Sequence, residues 1–263
     1  PQLECINLES NHLTNEHLVH LSKLPLHRLE ELILEFNHFE ESGMQALCSS
    51  STITQLKHLN LSLCHLTAES VRPLCEARWG RSLERLDLSF NLLQEDGVAH
   101  LASCDFPNLR ALHIDNQEQH SGLGITTLAK APFLPHIRSL SACFDTHIPS
   151  STWAEELLPR MTGALEAIDL SHNCLDDRVI QRLKEAFAGR PVKRLELSNC
   201  GHDVSAERLL WLLSSTDLRQ LESLSLSATP LTDDDLFGID HNFEQLEELH
   251  IEELKRIGPG FTH

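Results

Sequence analysis

Long apolar runs are missing from this chain, and so are the short motifs that mark many catalytic sites. No apolar stretch approaches the roughly 18 residues needed to cross a membrane as a helix. There is no Gly-rich phosphate loop, no His-Glu-x-x-His and no Gly-x-Ser-x-Gly, so the common signals of nucleotide hydrolysis, zinc proteolysis and serine-ester hydrolysis are absent. The eight cysteines (Cys5, Cys48, Cys64, Cys75, Cys104, Cys143, Cys174 and Cys200) make no Cys-x-x-Cys pair. Positive charge is scarce: 21 Lys and Arg stand against 39 Asp and Glu, a net of −18. Such an excess repels nucleic acid and anionic lipid, so neither a nucleic-acid nor a membrane partner is expected.

What the chain does have is one repeated pattern. Leu-x-x-Leu-x-Leu-x-x-Asn-x-Leu reads LECINLESNHL at Leu3 to Leu13, LEELILEFNHF at Leu29 to Phe39, LKHLNLSLCHL at Leu56 to Leu66 and LERLDLSFNLL at Leu83 to Leu93. Weaker copies start at Leu109, Ile137, Leu165, Val192, Leu221 and Leu246. Ten starts spaced 25 to 29 residues apart fill all 263 positions and leave no room for a separate globular domain. Pattern positions four and six lie two apart, the period that puts both leucines on one face of a strand. The Asn at position nine is suited to bond backbone groups of the turn, and stacked copies make a ladder. Helix-period segments such as EDGVAHLA (Glu95 to Ala102) and ESGMQALC (Glu41 to Cys48) follow, with Gly43 and Gly97 at one offset.

This pattern resembles the leucine-rich repeat family over nearly the whole chain, and the period and the tail Gly-x-x-x-Leu look like its ribonuclease-inhibitor-like class. The resemblance implies an α/β fold: a right-handed solenoid bent into a horseshoe, with a parallel sheet on the concave side and helices on the convex side. Each unit would be stable only against its neighbours. We expect one domain over 1–263. Its opening at Pro1, inside a repeat and without a capping segment, reads as a piece of a longer or processed chain. Extracellular members carry disulfide-bonded caps, whereas these cysteines are scattered one or two per repeat. That scatter predicts a cytoplasmic setting, and because strand-borne and helix-borne cysteines of one unit point to different sides, about eight free thiols are expected.

If positions four and six point inward, positions three, five and seven point out from the sheet and position eight opens the turn. These four columns hold ten carboxylates (Glu9, Glu31, Glu35, Asp87, Asp115, Asp169, Glu196, Glu248, Glu252 and Glu253) against Arg85 and Arg194. One sign on a concave wall favours a basic partner. Position eight carries Phe36, Leu63, Phe90 and Phe144, either an apolar ridge beside the acidic wall of the kind that forms binding hot spots or, as the resemblance of Asp-Leu-Ser-Phe to a common repeat consensus implies, aromatics packed on their neighbours and the turn. The predicted partner-binding set is therefore Glu35, Phe36, His58, Leu63, Arg85, Asp87, Phe90, His113, Asp115 and Phe144.

Three further features bear on chemistry. His12, His38 and His65 share position ten in consecutive units, where they would share a metal, repel one another when protonated, or each bond a loop carbonyl; the last reading is the simplest. Asp87, His113, Asp115 and Cys143 would project from adjacent strands, a possible thiolate-activating or zinc-binding set. An open solenoid face, however, offers no closed pocket and no oxyanion donors. We therefore assign no catalytic residue, metal or cofactor. Units five and six depart most from the pattern, with Gln117 and Asp145 at position nine and the irregular segments Gln117 to Thr127 and Thr146 to Pro159. The reading is a non-catalytic module that recognises a basic or mixed-charge protein surface. The family resemblance equally admits a regulator of an enzyme such as a small GTPase, or the substrate-recognition arm of a ubiquitin ligase, immune sensor or bacterial effector. Oligomeric state is not encoded in the pattern.

Overall fold

A computed structural model of the chain describes residues 2–117, 123–144, 148–161, 165–201, 203–237 and 243–254. It divides into two compact units, Pro1–Ala142 and Cys143–His263. In the first, β1 (Cys5–Asn7), β2 (Glu31–Ile33), β3 (His58–Asn60), β4 (Arg85–Asp87), β5 (Ala111–His113) and β6 (Ser139–Ser141) form an open parallel sheet in sequence order. After the first five strands come helices α1 (Asn15–Leu21), α2 (Glu41–Cys48), α3 (Ala68–Val71), α4 (Gln94–Ala102) and α5 (Leu123–Leu128). Two 3-10 turns, Arg72–Glu76 and Arg78–Arg81, extend α3. The second unit repeats the plan with β7 (Ala167–Asp169), β8 (Arg194–Glu196), β9 (Ser223–Ser225) and β10 (Glu248–His250), again parallel. Its helices are α6 (Asp177–Phe187), α7 (Ala206–Leu213) and α8 (Asp233–Phe237). Among the described residues no helix is long and apolar enough to cross a membrane. Each unit is thus an α/β repeat solenoid with one strand per repeat.

The register follows the sequence pattern without a slip. Cys5 faces Glu31, Glu31 faces His58, His58 faces Arg85, Arg85 faces Ala111 and Ala111 faces Ser139, all at position three. A one-residue slip would turn every leucine to solvent, so burial of one face fixes the pairing. Leu32, Leu59, Leu86, Leu112 and Leu140 at position four are at most 2% exposed, and Leu34, Leu61, Leu88 and Ile114 at position six are fully buried.

In repeats two to five, position nine closes one turn onto its neighbour. Asn91 Oδ1 accepts from the backbone N–H groups of Cys64 (3.0 Å) and Leu66 (2.9 Å), and its Nδ2 donates to the carbonyls of Leu61 (2.9 Å) and Leu88 (2.8 Å). Asn37 makes the same set one step earlier, to Asn11 and Leu13 and from Nδ2 to Leu8 and Leu34. Cys64 takes part as a donor, its Sγ 3.1 Å from the Leu34 carbonyl. Burial pushes its thiol up to about 12, which keeps the proton that this bond requires. Gln117, read in the sequence as a break in the pattern, keeps the ladder: its Nε2 donates to the carbonyls of Leu88 (2.8 Å) and Asp115 (3.1 Å). Its longer side chain spans the extra distance. Asp145, the other departure, lies outside the described residues, as do parts of both irregular segments.

On the helix side, two glycines set the packing distance. A β-carbon on Gly97 would stand 2.8 Å from Leu93 Cβ and 3.2 Å from the Ala68 Cα of α3; one on Gly43 would stand 2.6 Å from Asn15 Oδ1 of α1. Their common offset marks where each helix touches the one before it.

The cysteines correct one expectation. Cys75 and Cys104 form a disulfide with Cα atoms 4.4 Å apart, so the eight-free-thiol reading fails and the cytoplasmic setting loses its premise. That reading compared cysteines within a repeat, where strand and helix point apart. Cysteines 29 residues apart occupy similar offsets in consecutive repeats, and stacking brings such offsets within bridging range.

Two outcomes are expected. Leu88→Asp buries an unpaired carboxylate at a cost of several kcal/mol and abolishes cooperative melting; a variant that melts like the parent would refute the strand register. Peptide mapping under non-reducing conditions should recover Cys75 and Cys104 cross-linked. Alkylation of both in the unreduced protein would show the bridge is not formed.

Candidate protein-binding site on the strand face

The alternation that buries positions four and six sends positions three and five to the open face of the sheet. In the first unit these side chains and those at position seven bond to one another in several small polar groups. His113 Nδ1 lies 3.4 Å from Asp87 Oδ2, one strand away, and the Ser89 amide donates to Asp87 Oδ1 at 2.9 Å. Burial pushes the Asp87 carboxyl up, but the His113 and Ser89 hydrogen bonds outweigh it and hold the group below its usual range. The Ser141 hydroxyl donates to Asp115 at 2.8 Å and the Ser89 hydroxyl at 3.3 Å. Asn60 Nδ2 donates to Glu35 Oε2 at 3.0 Å, and His58 Nδ1 stands 4.0 Å from Glu31 Oε1. Arg85 is exposed. Six of the predicted residues, Glu35, His58, Arg85, Asp87, His113 and Asp115, therefore share this face.

Two parts of the sequence reading change. Position seven is less open than expected: Ser62 and Ser89 are at most 5% exposed, because their hydroxyls bond sideways to Asn60 and Asp115. Phe144, predicted as the end of the exposed ridge, is buried. Its ring stacks on that of Trp153, centroids 6.1 Å apart, and Trp153 belongs to the helical turn Thr152–Leu157. Of the catalytic alternative, Asp87 and His113 meet, whereas Cys143 belongs to the second unit.

Position eight carries an unusual backbone. Ser10, Phe36, Leu63, Phe90, Asn116, His172, Asn199, Ala228 and Glu253 all have φ between 47° and 61°, the left-handed region that non-glycine residues seldom enter. The turn imposes it: the position-eight amide donates to the position-seven carbonyl of the next repeat, as from Phe36 to Ser62 (3.0 Å) and from Phe90 to Asp115 (2.8 Å). This geometry sends side chains outward, leaving Phe36 55% and Phe90 49% exposed. Leu63 is partly exposed. Beside them lies a cleft of about 260 Å³ lined by His12, Phe36, Asn37, His38, Leu63 and His65. The His38 and His65 rings stack with centroids 4.9 Å apart. No group of three His, Cys, Asp or Glu side chains among the described residues is arranged to hold a metal ion. The sequence offered the six lining residues as two separate columns and one ladder Asn, with no sign that they line a common cleft.

The strand face of the second unit is differently charged. Asp169 and Glu196 occupy paired positions on β7 and β8. Burial and the Asp169 charge together push the Glu196 carboxyl up to about 7, against the opposing pull of Arg194. Arg194 lies 3.5 Å from Glu196 and, across Ser223, 3.9 Å from Glu248, so its cation is already shared. A carboxyl raised in the folded state stabilises the fold fully below its ordinary value of 4.5 and loses that contribution as pH rises through about 7. Glu196→Gln should therefore flatten the fall in Tm between pH 4.5 and 7.5 and leave the variant more stable than the parent at pH 8. A lower Tm than the parent at pH 8 would contradict this assignment.

A family model described as Leucine Rich repeat matches residues 27–48 and 53–75, which span β2 to the turn after α3. No curated protein matches the sequence. Among solved structures the chain is similar to the leucine-rich repeat domain of APL1B, at 16% identity over 97% of this chain, with a TM-score of 0.46; it spans 66% of that chain. It is also similar to an internalin (inlF) from Listeria monocytogenes, at 14% identity over 97% of this chain and 82% of that one, with a TM-score of 0.47.

Proposed function

We propose that this leucine-rich repeat protein is a recognition module of the ribonuclease-inhibitor-like class, binding a basic or mixed-charge protein surface through the strand face of its first unit. The class assignment is supported by a spacing near 27 residues and by a helix of one to three turns after most strands. One observation carries the partner's charge. Glu9 and Glu35, neighbours at position seven of adjacent strands, have no cationic partner among the described residues, while Arg28 is committed to Glu4 (2.6 Å) and Lys57 to Glu30 (2.8 Å). Uncompensated carboxylates on an open face draw in a cationic surface over a distance set by salt. Recognition is favoured over catalysis because the Asp87–His113 pair sits on the open strand face of the first unit.

Charge and apolar area have separable kinetic signatures. Charges steer encounter, and desolvated aromatics hold the complex once it forms. With a partner recovered from lysate at low salt and purified, the double variant Glu35→Lys/Asp87→Lys should slow association about tenfold or more and remove most of its ionic-strength dependence. Phe90→Ala should chiefly speed dissociation, also by about tenfold. If both variants bind as the parent does, and substitutions in α2 or α4 abolish capture, the strand face is not the binding surface.

A further inference from the structure

Three of the left-handed positions in the first unit are occupied against their local preference. The turn demands a positive φ at position eight, and Asn or Asp tolerates it better than other non-glycine side chains because a short polar group can bond locally. Asn116 follows that rule in repeat five. Repeats two, three and four instead place Phe36, Leu63 and Phe90 there, at φ 55°, 55° and 57°. Core packing does not explain the choice, since both phenylalanines are about half exposed. Neither backbone preference nor full burial thus selects these residue types.

The cleft beside Phe36 and Leu63 says what kind of contact they suit. At about 260 Å³ it is smaller than the roughly 300 Å³ at which small-molecule pockets begin. It suits a single inserted side chain. Its walls are the Phe36 ring, the Leu63 side chain and the His12, His38 and His65 imidazoles, with the buried Asn37 at its floor. Flat aromatic walls and an aliphatic side match an aliphatic or aromatic side chain in shape and polarity.

Charge along the strands gives the occupant its direction. At the entry end of the first repeats carboxylates are paired with cations, Glu4 with Arg28 and Glu30 with Lys57. At the exit end, one residue before the position-eight side chains, Glu9 and Glu35 have no cation among the described residues. We propose that the cleft seats one aliphatic or aromatic side chain of a protein partner, whose adjacent Lys or Arg residues lie over Glu9 and Glu35. The cationic half of this inference rests on the strand-face reading above; the apolar half does not.

Three nine-residue peptides test it on the full chain: a Gly/Ser peptide with one central Phe flanked by Lys and Arg, the same peptide with Ala for Phe, and the Phe peptide with Glu for each cation. Binding is followed by NMR of the histidine Hε1–Cε1 signals, assigned through His12→Gln, His38→Gln and His65→Gln. The basic Phe peptide should bind at least tenfold more tightly than the basic Ala peptide and should shift His38 and His65. Phe36→Asn and Leu63→Asn place residues at home in a left-handed turn, so the fold is retained, as Tm will report, and each should bring the Phe peptide down to the Ala level. Equal binding of the two basic peptides overturns the cleft; if Glu35→Lys then abolishes both, the strand-face reading survives that failure. Equal binding of the acidic and basic Phe peptides, lost in Phe36→Asn, overturns the cationic half and the strand-face reading with it, and leaves the apolar half intact. Absence of binding by every peptide overturns the whole inference.

Discussion

One side chain in each of repeats two to five holds two turns together, and the rest of the first unit depends on it. Asn91 satisfies two amides of the preceding repeat and carbonyls of both repeats from a site 1% exposed to solvent. A single such bond contributes only about 1 kcal/mol net, but each buried group left unpaired costs about 1–3 kcal/mol. The constraint is therefore satisfaction more than strength. It explains why Cys64, Gln117 and Thr229 serve at position nine, since each donates to a turn carbonyl: Cys64 to Leu34, Gln117 to Leu88, Thr229 to Leu226. A residue that filled the space without donating would orphan a carbonyl in every turn it touched.

Fixing the turn in this way fixes the backbone one residue earlier. The position-eight amide must reach the next repeat, so its φ is positive whether the residue is Ser10, Phe36 or Asn116. Backbone shape and side-chain identity are decoupled there, which makes position eight a place where a repeat can carry a bulky exposed group without altering the stack. The helix side is built the opposite way. At Gly43 and Gly97 the approach of the neighbouring helix dictates the residue, and a methyl group is already too much.

The strands, their register and the buried columns were legible in the sequence because they depend on two periods, 27 residues between repeats and two within a strand. The pairing of Asp87 with His113 followed from the same columns, both being at position five. What was not legible depends on contacts that no period encodes. Phe144 has the column address of Phe90, but the Trp153 ring nine residues later draws it into the core. The Cys75–Cys104 bridge was hidden by reasoning within one repeat, when the nearest neighbour of a helix-side residue is its counterpart in the next. The cleft was hidden because columns eight and ten look unrelated until the backbone turns them to one side: His12 and His65, like Phe36 and Leu63, have positive φ.

The distribution of charge bears on whether acidity here serves recognition or only solubility. A solubility device needs net charge and is indifferent to where it sits. In this chain the cations are not scattered evenly among the carboxylates. Position two mixes both signs, with Lys57 bonded to Glu30 in the first unit and Lys193 to Glu222 in the second, so the fields of these pairs cancel within a few ångströms. Glu9 and Glu35, on adjacent strands about 4.8 Å apart, lie well inside the Debye length of about 8 Å at physiological salt, and their fields add. Asn60 bonds Glu35 but leaves its charge intact, since an amide orients a carboxylate without neutralising it. The same strands thus end neutralised on one side and acidic on the other, with exposed phenylalanines only on the acidic side. Aggregate charge gives no reason for that polarity; a partner that must dock in one direction does.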